Sequence, residues 1–325
     1  MKTFVTGATG FIGTHLVPRL VSAGHEARCL VRRPGAGRIL EERGAVAVPG
    51  DVTDPASLRA AIAGCDWVLH LANVYSFWEP DPTIYTRVNV AGTRNVMECA
   101  RAAGVSKVVH VSSAVVYGRP ADVPFREESP VGPVRSTEYA RTKYAGERIA
   151  QDLHEQAGLP LVTILPGAVV GPGDPKPTGQ YVTSLVRRRM PARVMEGTVF
   201  TFVHVRDVAE AVVRAAEKTG NLGERYLVGA ERLSFGEINR MVSEIAHVPL
   251  PALRMPDWLA AASAALLTGL AGWTGQPPPW GLSADQVRMM RTGFEFDGGK
   301  AQRELGLVYT PVRTAIEEMI ASCRK

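Results

Sequence analysis

The chain has 325 residues, long enough for a sizeable hydrophobic core and for two lobes or one domain with an elaborated end. Hydrophobic residues make up 46% and charged residues 21%, with no low-complexity tract or internal repeat, which excludes disordered and repeat architectures. A formal net charge of +5 is too small to predict a nucleic-acid partner, and the basic clusters Arg32-Arg33 and Arg187-Arg188-Arg189 are local, the second reading as the solvated end of a helix.

The opening stretch, Lys2-Thr-Phe-Val-Thr-Gly-Ala-Thr-Gly-Phe-Ile-Gly13, reads as a short buried strand around Phe4 and Val5, a glycine turn and the start of an amphipathic helix. Gly7 permits the tight turn, Gly10 lets backbone approach a pyrophosphate, and Gly13 lets the helix press onto the sheet. The free N–H groups and positive end of the helix face the anion. Thr9, Phe11 and Ile12 fall inside this turn and are candidate cofactor contacts with the three glycines. With the first strand starting at Lys2, a signal or transit segment has no room, and a cytoplasmic protein is expected.

Glu26 to Val31 reads as the second strand, ending in Arg32-Arg33. At this tip an acid would hydrogen-bond a ribose 2′-hydroxyl and an arginine would pair with a 2′-phosphate. There is no acid and Arg32 is the better placed arginine, so NADP(H) is preferred over NAD(H); the alternative is two surface arginines at a strand end. Ala45 to Val48 is the third strand, followed by Gly50-Asp51-Val52-Thr53-Asp54-Pro55 and a helix over residues 56–63. Asp51 either caps that helix or accepts a hydrogen bond from an adenine amine, with Val52 beside it.

Trp67-Val-Leu-His-Leu-Ala72 is the fourth strand, and its end places Leu71, Ala72 and Asn73 at the ligand edge. The aromatic loop that follows carries Tyr75, Phe77 and Trp78, which either border the nicotinamide and substrate or pack the loop. A long helix spans residues 84–103 with Asn89. Lys107-Val-Val-His-Val-Ser-Ser113 is the fifth strand and delivers Ser112 and Ser113 to the same edge. Ser136-Thr-Glu opens a helix in which Tyr139 and Lys143, four residues apart, project from one face, and Gly158 ends it. Leu161 to Leu165 is the sixth strand, closing with Pro166 and Gly167. The alternation predicts an α/β doubly wound parallel sheet over residues 1–170. Residues 171–325, with strands at 198–203 and 225–228, are expected to form a smaller mixed substrate lobe, with some chain crossing back to the sheet.

A tyrosine alone has a pKa near 10. A lysine one turn away and a cationic nicotinamide ring would stabilise its phenolate, so that Tyr139 exchanges a proton with a substrate oxygen during hydride transfer. Ser113 would hold the same oxygen, and Lys143 would reach the nicotinamide ribose. The four cysteines, Cys29, Cys65, Cys99 and Cys323, show no paired spacing and read as reduced packing residues. No metal is expected, and His204 and His247 read as structural.

Together Thr6-Gly-Ala-Thr-Gly-Phe-Ile-Gly13, Gly50-Asp51, Asn89-Val-Ala-Gly-Thr93, Val111-Ser-Ser-Ala-Val-Val-Tyr-Gly118, Tyr139-x-x-x-Lys143, Gly171-Pro172 and Phe202-Val-His-Val-Arg-Asp-Val208 resemble the extended short-chain dehydrogenase/reductase superfamily, also called the NAD-dependent epimerase/dehydratase family. The resemblance spans nearly the whole chain and implies a Rossmann fold with Ser113, Tyr139 and Lys143 as the catalytic set. Tyr117, Ala168, Tyr75, Phe77 and Ser113 are the substrate-side candidates; Asp51, Val52, Asn89, Ser112, Tyr139 and Lys143 join the cofactor side. Nucleotide-sugar epimerases and dehydratases carry an asparagine where this chain has Ala168 in Leu165-Pro-Gly-Ala-Val-Val-Gly-Pro172, so the segment looks more like dihydroflavonol-reductase and hydroxysteroid-dehydrogenase relatives. Lys176-Pro-Thr-Gly179 and Ser283-Ala-Asp-Gln-Val-Arg288 resemble hopanoid-associated epimerase-like members.

The uncharged run Trp258 to Trp273, leading into Pro277-Pro-Pro-Trp280, is shorter than the roughly 20 residues of a bilayer span. It reads either as a helix packed on its own lobe or a partner subunit, or as a greasy lid resting on a membrane surface. The expectation is an NADP(H)-dependent oxidoreductase interconverting a ketone and a secondary alcohol on an apolar, cyclic or lipid-like small molecule; superfamily members often form homodimers, and the resemblance leaves monomer and homodimer both open. The alternatives are a nucleotide-sugar epimerase or dehydratase with retained NAD(P), and a non-catalytic NADP(H)-sensing scaffold. The last would often lose the tyrosine or lysine that this chain keeps.

Overall fold

Every residue of three predicted strands is buried, as it must be when helices cover both faces of a parallel sheet. The computed structural model describes residues 1–33 and 35–323. Its strands are β1 (Lys2–Thr6), β2 (Glu26–Val31), β3 (Val46–Pro49), β4 (Trp67–His70), β5 (Lys107–Val111), β6 (Leu161–Pro166), β7 (Ala168–Val170), β8 (Val199–His204), β9 (Arg225–Val228) and β10 (Glu231–Ser234). Seven of them form a parallel sheet in the order β3-β2-β1-β4-β5-β6-β9. The order turns back between β1 and β4, which opens a crevice beyond their carboxyl ends.

On one face the helices Phe11–Ser22 and Val205–Glu217 press Leu16, Val17 and Leu20 against the core shared by Val208 and Val212. Pro18 has no N–H to give the Thr14 carbonyl, and Arg43 Nη1 supplies the missing donor at 2.7 Å. The opposite face is covered by Pro55–Ile62, Thr93–Ala102 and Glu138–Ala157, whose Leu58, Ile62, Val96 and Ala150 share a second core. Asp54, not Asp51, caps Pro55–Ile62 by accepting from Ala56 N. Asp51 Oδ1 instead accepts from the backbone and hydroxyl of Thr53, so its capping role is corrected. Thr137 caps Glu138–Ala157, and Gly158 ends that helix in the left-handed region at φ 68°.

The helix expected over residues 84–103 runs as Thr83–Tyr85, a π-helical stretch Thr86–Gly92, and Thr93–Ala102. Beyond β6 the short strands β7 and β10, neither foreseen, sandwich β8 in a second sheet. The helices Pro177–Val186, Phe235–Ala246 and Val312–Cys323 pack on this sheet around Phe200, Phe202, Val242 and Ile316. That core is continuous with Phe77, Val115 and Tyr139 of the first half of the chain, which seats the smaller unit against the carboxyl edge of the large sheet.

Candidate active site

At the crevice, Gly7 holds φ 72°, and a Cβ there would stand 2.7 Å from Ala72 N at the end of β4. Gly13 is forced by contact: a Cβ would lie 2.3 Å from the Gly7 carbonyl, so at this position the first turn of the helix packs directly on the glycine turn. Gly10 precedes the helix Phe11–Ser22, whose first turn has no side-chain cap and no acidic residue, leaving its amides and positive end free for an anion. Arg32 at the tip of β2 is exposed and pairs with no described carboxylate. These groups line one cleft of about 440 Å³ together with Thr9, Ile12, Val52, Leu71, Ala72 and Asn73. Asn73 Nδ2 donates to Leu71 O, and its Oδ1 is buried without a protein partner. Amides, an unpaired guanidinium and an unsatisfied acceptor make a donor set that fits a dinucleotide.

The same cleft is lined by Ser112, Ser113, Tyr139, Pro166, Gly167 and Ala168. Ser113, two residues beyond β5, accepts from Val115 N, and its hydroxyl acts on the Tyr139 phenol to favour the phenolate. Of the aromatic loop, Tyr75 packs 4.9 Å and Phe77 6.3 Å from the Tyr139 ring, and both line the cleft; Trp78 is not part of that lining. The far wall comes from the smaller unit: Tyr181, Phe200, Phe202, Phe235, Met289, Met290 and Phe294, with Asp174, Lys176, Thr178 and Gln286 among its polar members. None of these had been singled out for the site, although Phe200-Thr-Phe202 alternates as a strand with one apolar face does.

Residues 3–229 match the model of the NAD dependent epimerase/dehydratase family. The chain belongs to that family. The sterol demethylase protein B of Methylococcus capsulatus is 34% identical over 328 residues, covering 100% of this chain and 99% of that protein. A 4-hydroxy-2-methyl-3-oxo-4-farnesyl-3,4-dihydroquinoline-1-oxide ketoreductase of Stigmatella aurantiaca is 30% identical over 320 residues, 94% of this chain and 91% of that one. The crystal structure of gox2253 superimposes with a TM-score of 0.84 at 36% identity, covering 99% of this chain and 97% of the other. The family makes this an NAD(P)-dependent enzyme of the reductase, epimerase and dehydratase group.

In this epimerase/dehydratase family chain, four of the expected contacts are not among the residues that line the cleft. Asn89, in the π-helical stretch, accepts from Val74 N at 2.7 Å and donates to Val74 O and Thr142 Oγ1, so it clamps the aromatic loop to the tyrosine helix. Asp51 faces Thr53, as above. Tyr117 is wholly buried, stacked on Phe125 at 4.7 Å with its hydroxyl donating to Glu127 O; its place among the substrate contacts is corrected to a core role. Lys143 Nζ donates to Val111 O at 3.0 Å. Burial lowers the Lys143 ammonium to about 8, with Glu147 pulling the other way.

Burial also pushes the Tyr139 phenol up to about 12, the Ser113 hydrogen bond opposing it. The expected lowering by Lys143 is therefore not produced by the protein's own groups. The Ser112 hydroxyl is turned away, donating to the buried Glu147 that also pairs with Arg225 at 2.6 Å. His204 accepts from Arg206 N and caps Val205–Glu217, a structural role. Among the described residues no group of His, Cys, Asp or Glu could hold a metal, and Cys29, Cys65, Cys99 and Cys323 are free thiols.

Proposed function

We propose that this protein is an NADP(H)-dependent ketone reductase and secondary-alcohol dehydrogenase acting on an apolar, cyclic or lipid-like substrate. The observation that carries the reading is one cleft in which a glycine turn with an unpaired Arg32 and a Ser113–Tyr139 pair meet an aromatic and methionine wall. Relatives named for a sterol and for a farnesyl-bearing ketone support it. Arg32 would hold the 2′-phosphate, and Gly7, Gly10 and Gly13 would admit the pyrophosphate.

A reduced nicotinamide held there would supply the hydride for the carbonyl carbon. Ser113 and Tyr139 hold the carbonyl oxygen, and Tyr139 transfers its phenolic proton to that oxygen as the alcohol forms. The resulting phenolate recovers its proton from solvent, and the Lys143 charge would reach it only once a bound cofactor draws Lys143 from Val111 O. In the reverse direction the phenolate takes the alcohol proton. The domain reading follows the same division: residues 1–170 bind the cofactor, and residues 171–325 supply the substrate wall while returning β9 and the helix Val205–Glu217 to the large sheet.

The test is titration of the purified protein with NADPH and NADH, followed by NADPH oxidation against a panel of cyclic and long-chain ketones. The reading expects NADPH to bind and dissociate and to be consumed by an apolar ketone. NAD that copurifies, with no net NADPH consumption, would favour the retained-cofactor epimerase or dehydratase alternative.

A further inference from the structure

The helix Asp257–Thr274 buries only a narrow stripe of small residues, Ala260, Ala264 and Ala271, the first two packed with Met195, Val287 and Met290. Its other side is apolar and exposed: Leu259, Leu270, Trp258 at 72%, Leu266 at 66% and Trp273 at 86%, with Trp280 just beyond at 61%. Asp257 is the one charged residue in its span. Such a face held in water carries a continuing cost that grows with the apolar surface something could cover.

The surroundings indicate what covers it. Residue 193 bridges to residue 254 just before the helix, and Arg193 and Arg254 share the carboxylate Glu196, with Asp257 opening the helix three residues on. Four residues upstream of that bridge, Arg187, Arg188 and Arg189 are exposed and pair with no described acid. An apolar helix face with exposed tryptophans, flanked by unneutralised arginines, matches the cross-section of a membrane surface: acyl chains for the leucines, the headgroup level for the indoles and anionic phosphate for the guanidinium groups. Among the described residues no helix is long and apolar enough to cross a membrane, so the geometry is one of lying on it.

The same helix is tied to the cleft. Thr268 Oγ1 accepts from Ala284 N at 2.8 Å at the start of the neighbouring helix Ala284–Thr292, which carries Gln286, Met289 and Met290 into the cleft wall.

We propose that Asp257–Thr274 docks flat on a bilayer containing anionic lipid and places the apolar end of the cleft at the membrane surface. This rests on the surface and not on the redox reading, and it survives the failure of that reading. The test is flotation of the full chain with vesicles of phosphatidylglycerol and phosphatidylcholine, and with vesicles of phosphatidylcholine alone. The native chain is expected to float with the anionic vesicles. L266E/W273E should lose vesicle affinity by more than tenfold with nucleotide affinity and melting temperature unchanged. R187A/R188A/R189A should bind anionic vesicles less tightly, by about fivefold for each arginine that reaches the surface. A native chain that floats with neither vesicle, or an L266E/W273E variant that floats as well as the native chain, would overturn the proposal. So would a native dimer that L266E/W273E converts to monomer without vesicle binding, since a second copy would then cover the face.

Discussion

At the scale of single residues the site depends on a few positions where chemistry leaves little choice. Arg32 stands exposed at the tip of β2 without a carboxylate partner. Replacing it with alanine should weaken NADPH binding by roughly 10- to 100-fold, the worth of charge-assisted hydrogen bonds to phosphate, and leave NADH binding unchanged; equal losses for both would remove the 2′-phosphate role. Lys143 loses its cation as pH rises through about 8. Support for the phenolate goes with it, so the reductive rate should fall above pH 8, and a profile flat to pH 10 would contradict the role given to this lysine. The sign for stability is the opposite: between about pH 8 and the ordinary 10.5 the unfolded chain holds a proton that the folded one does not, so this residue's contribution rises with pH. Gly7→Ala should lower the melting temperature by several degrees, because φ 72° costs about 1–2 kcal/mol with a side chain and the new Cβ meets Ala72 backbone.

At the scale of elements, the strands of the large sheet were legible because burial on both faces writes them as short apolar runs, and β2 and β9 have the bounds the pattern gave. β7 was not legible: Ala168–Val170 follows β6 across one residue, Gly167, so the two read as one apolar segment. The β10 sequence, Glu231 to Ser234, carries charge and sits on a sheet edge, where strand preference is weak. The glycine turn, Ser113 and Tyr139 were visible because each belongs to a motif with a fixed neighbourhood in the chain. The Asn89 clamp was not, since its partners, Val74 and Thr142, lie 15 and 53 positions away. Removing that clamp as Asn89→Ala leaves the Val74 amide without its acceptor, a loss of about 1–3 kcal/mol read in a denaturant titration. Retention of full stability would place the loop's support elsewhere. Phe235, Met289 and Phe294 escaped notice for a similar reason, being brought together only when the smaller unit folds over the sheet edge.

At the scale of the whole molecule, two sheets converge on one cleft, and Tyr139 belongs to the core that joins them. In the proposed function, cofactor and substrate would meet at that phenol, the glycine turn coming from the first half of the chain and most of the apolar wall from the second. Tyr139→Phe should cut turnover by about 10²- to 10⁴-fold, the usual contribution of a positioned acid or base, with nucleotide affinity unchanged. The most direct test of hydride transfer to a ketone is to supply NADPH carrying deuterium at both nicotinamide C4 positions with an apolar cyclic ketone and to analyse the alcohol by mass spectrometry and NMR. A ketone reductase places one deuterium on the carbinol carbon for each NADPH oxidised, and Tyr139→Phe slows that appearance without changing its position. Alcohol without deuterium, or substrate converted with no NADPH oxidised, would contradict hydride transfer from a dissociable cofactor.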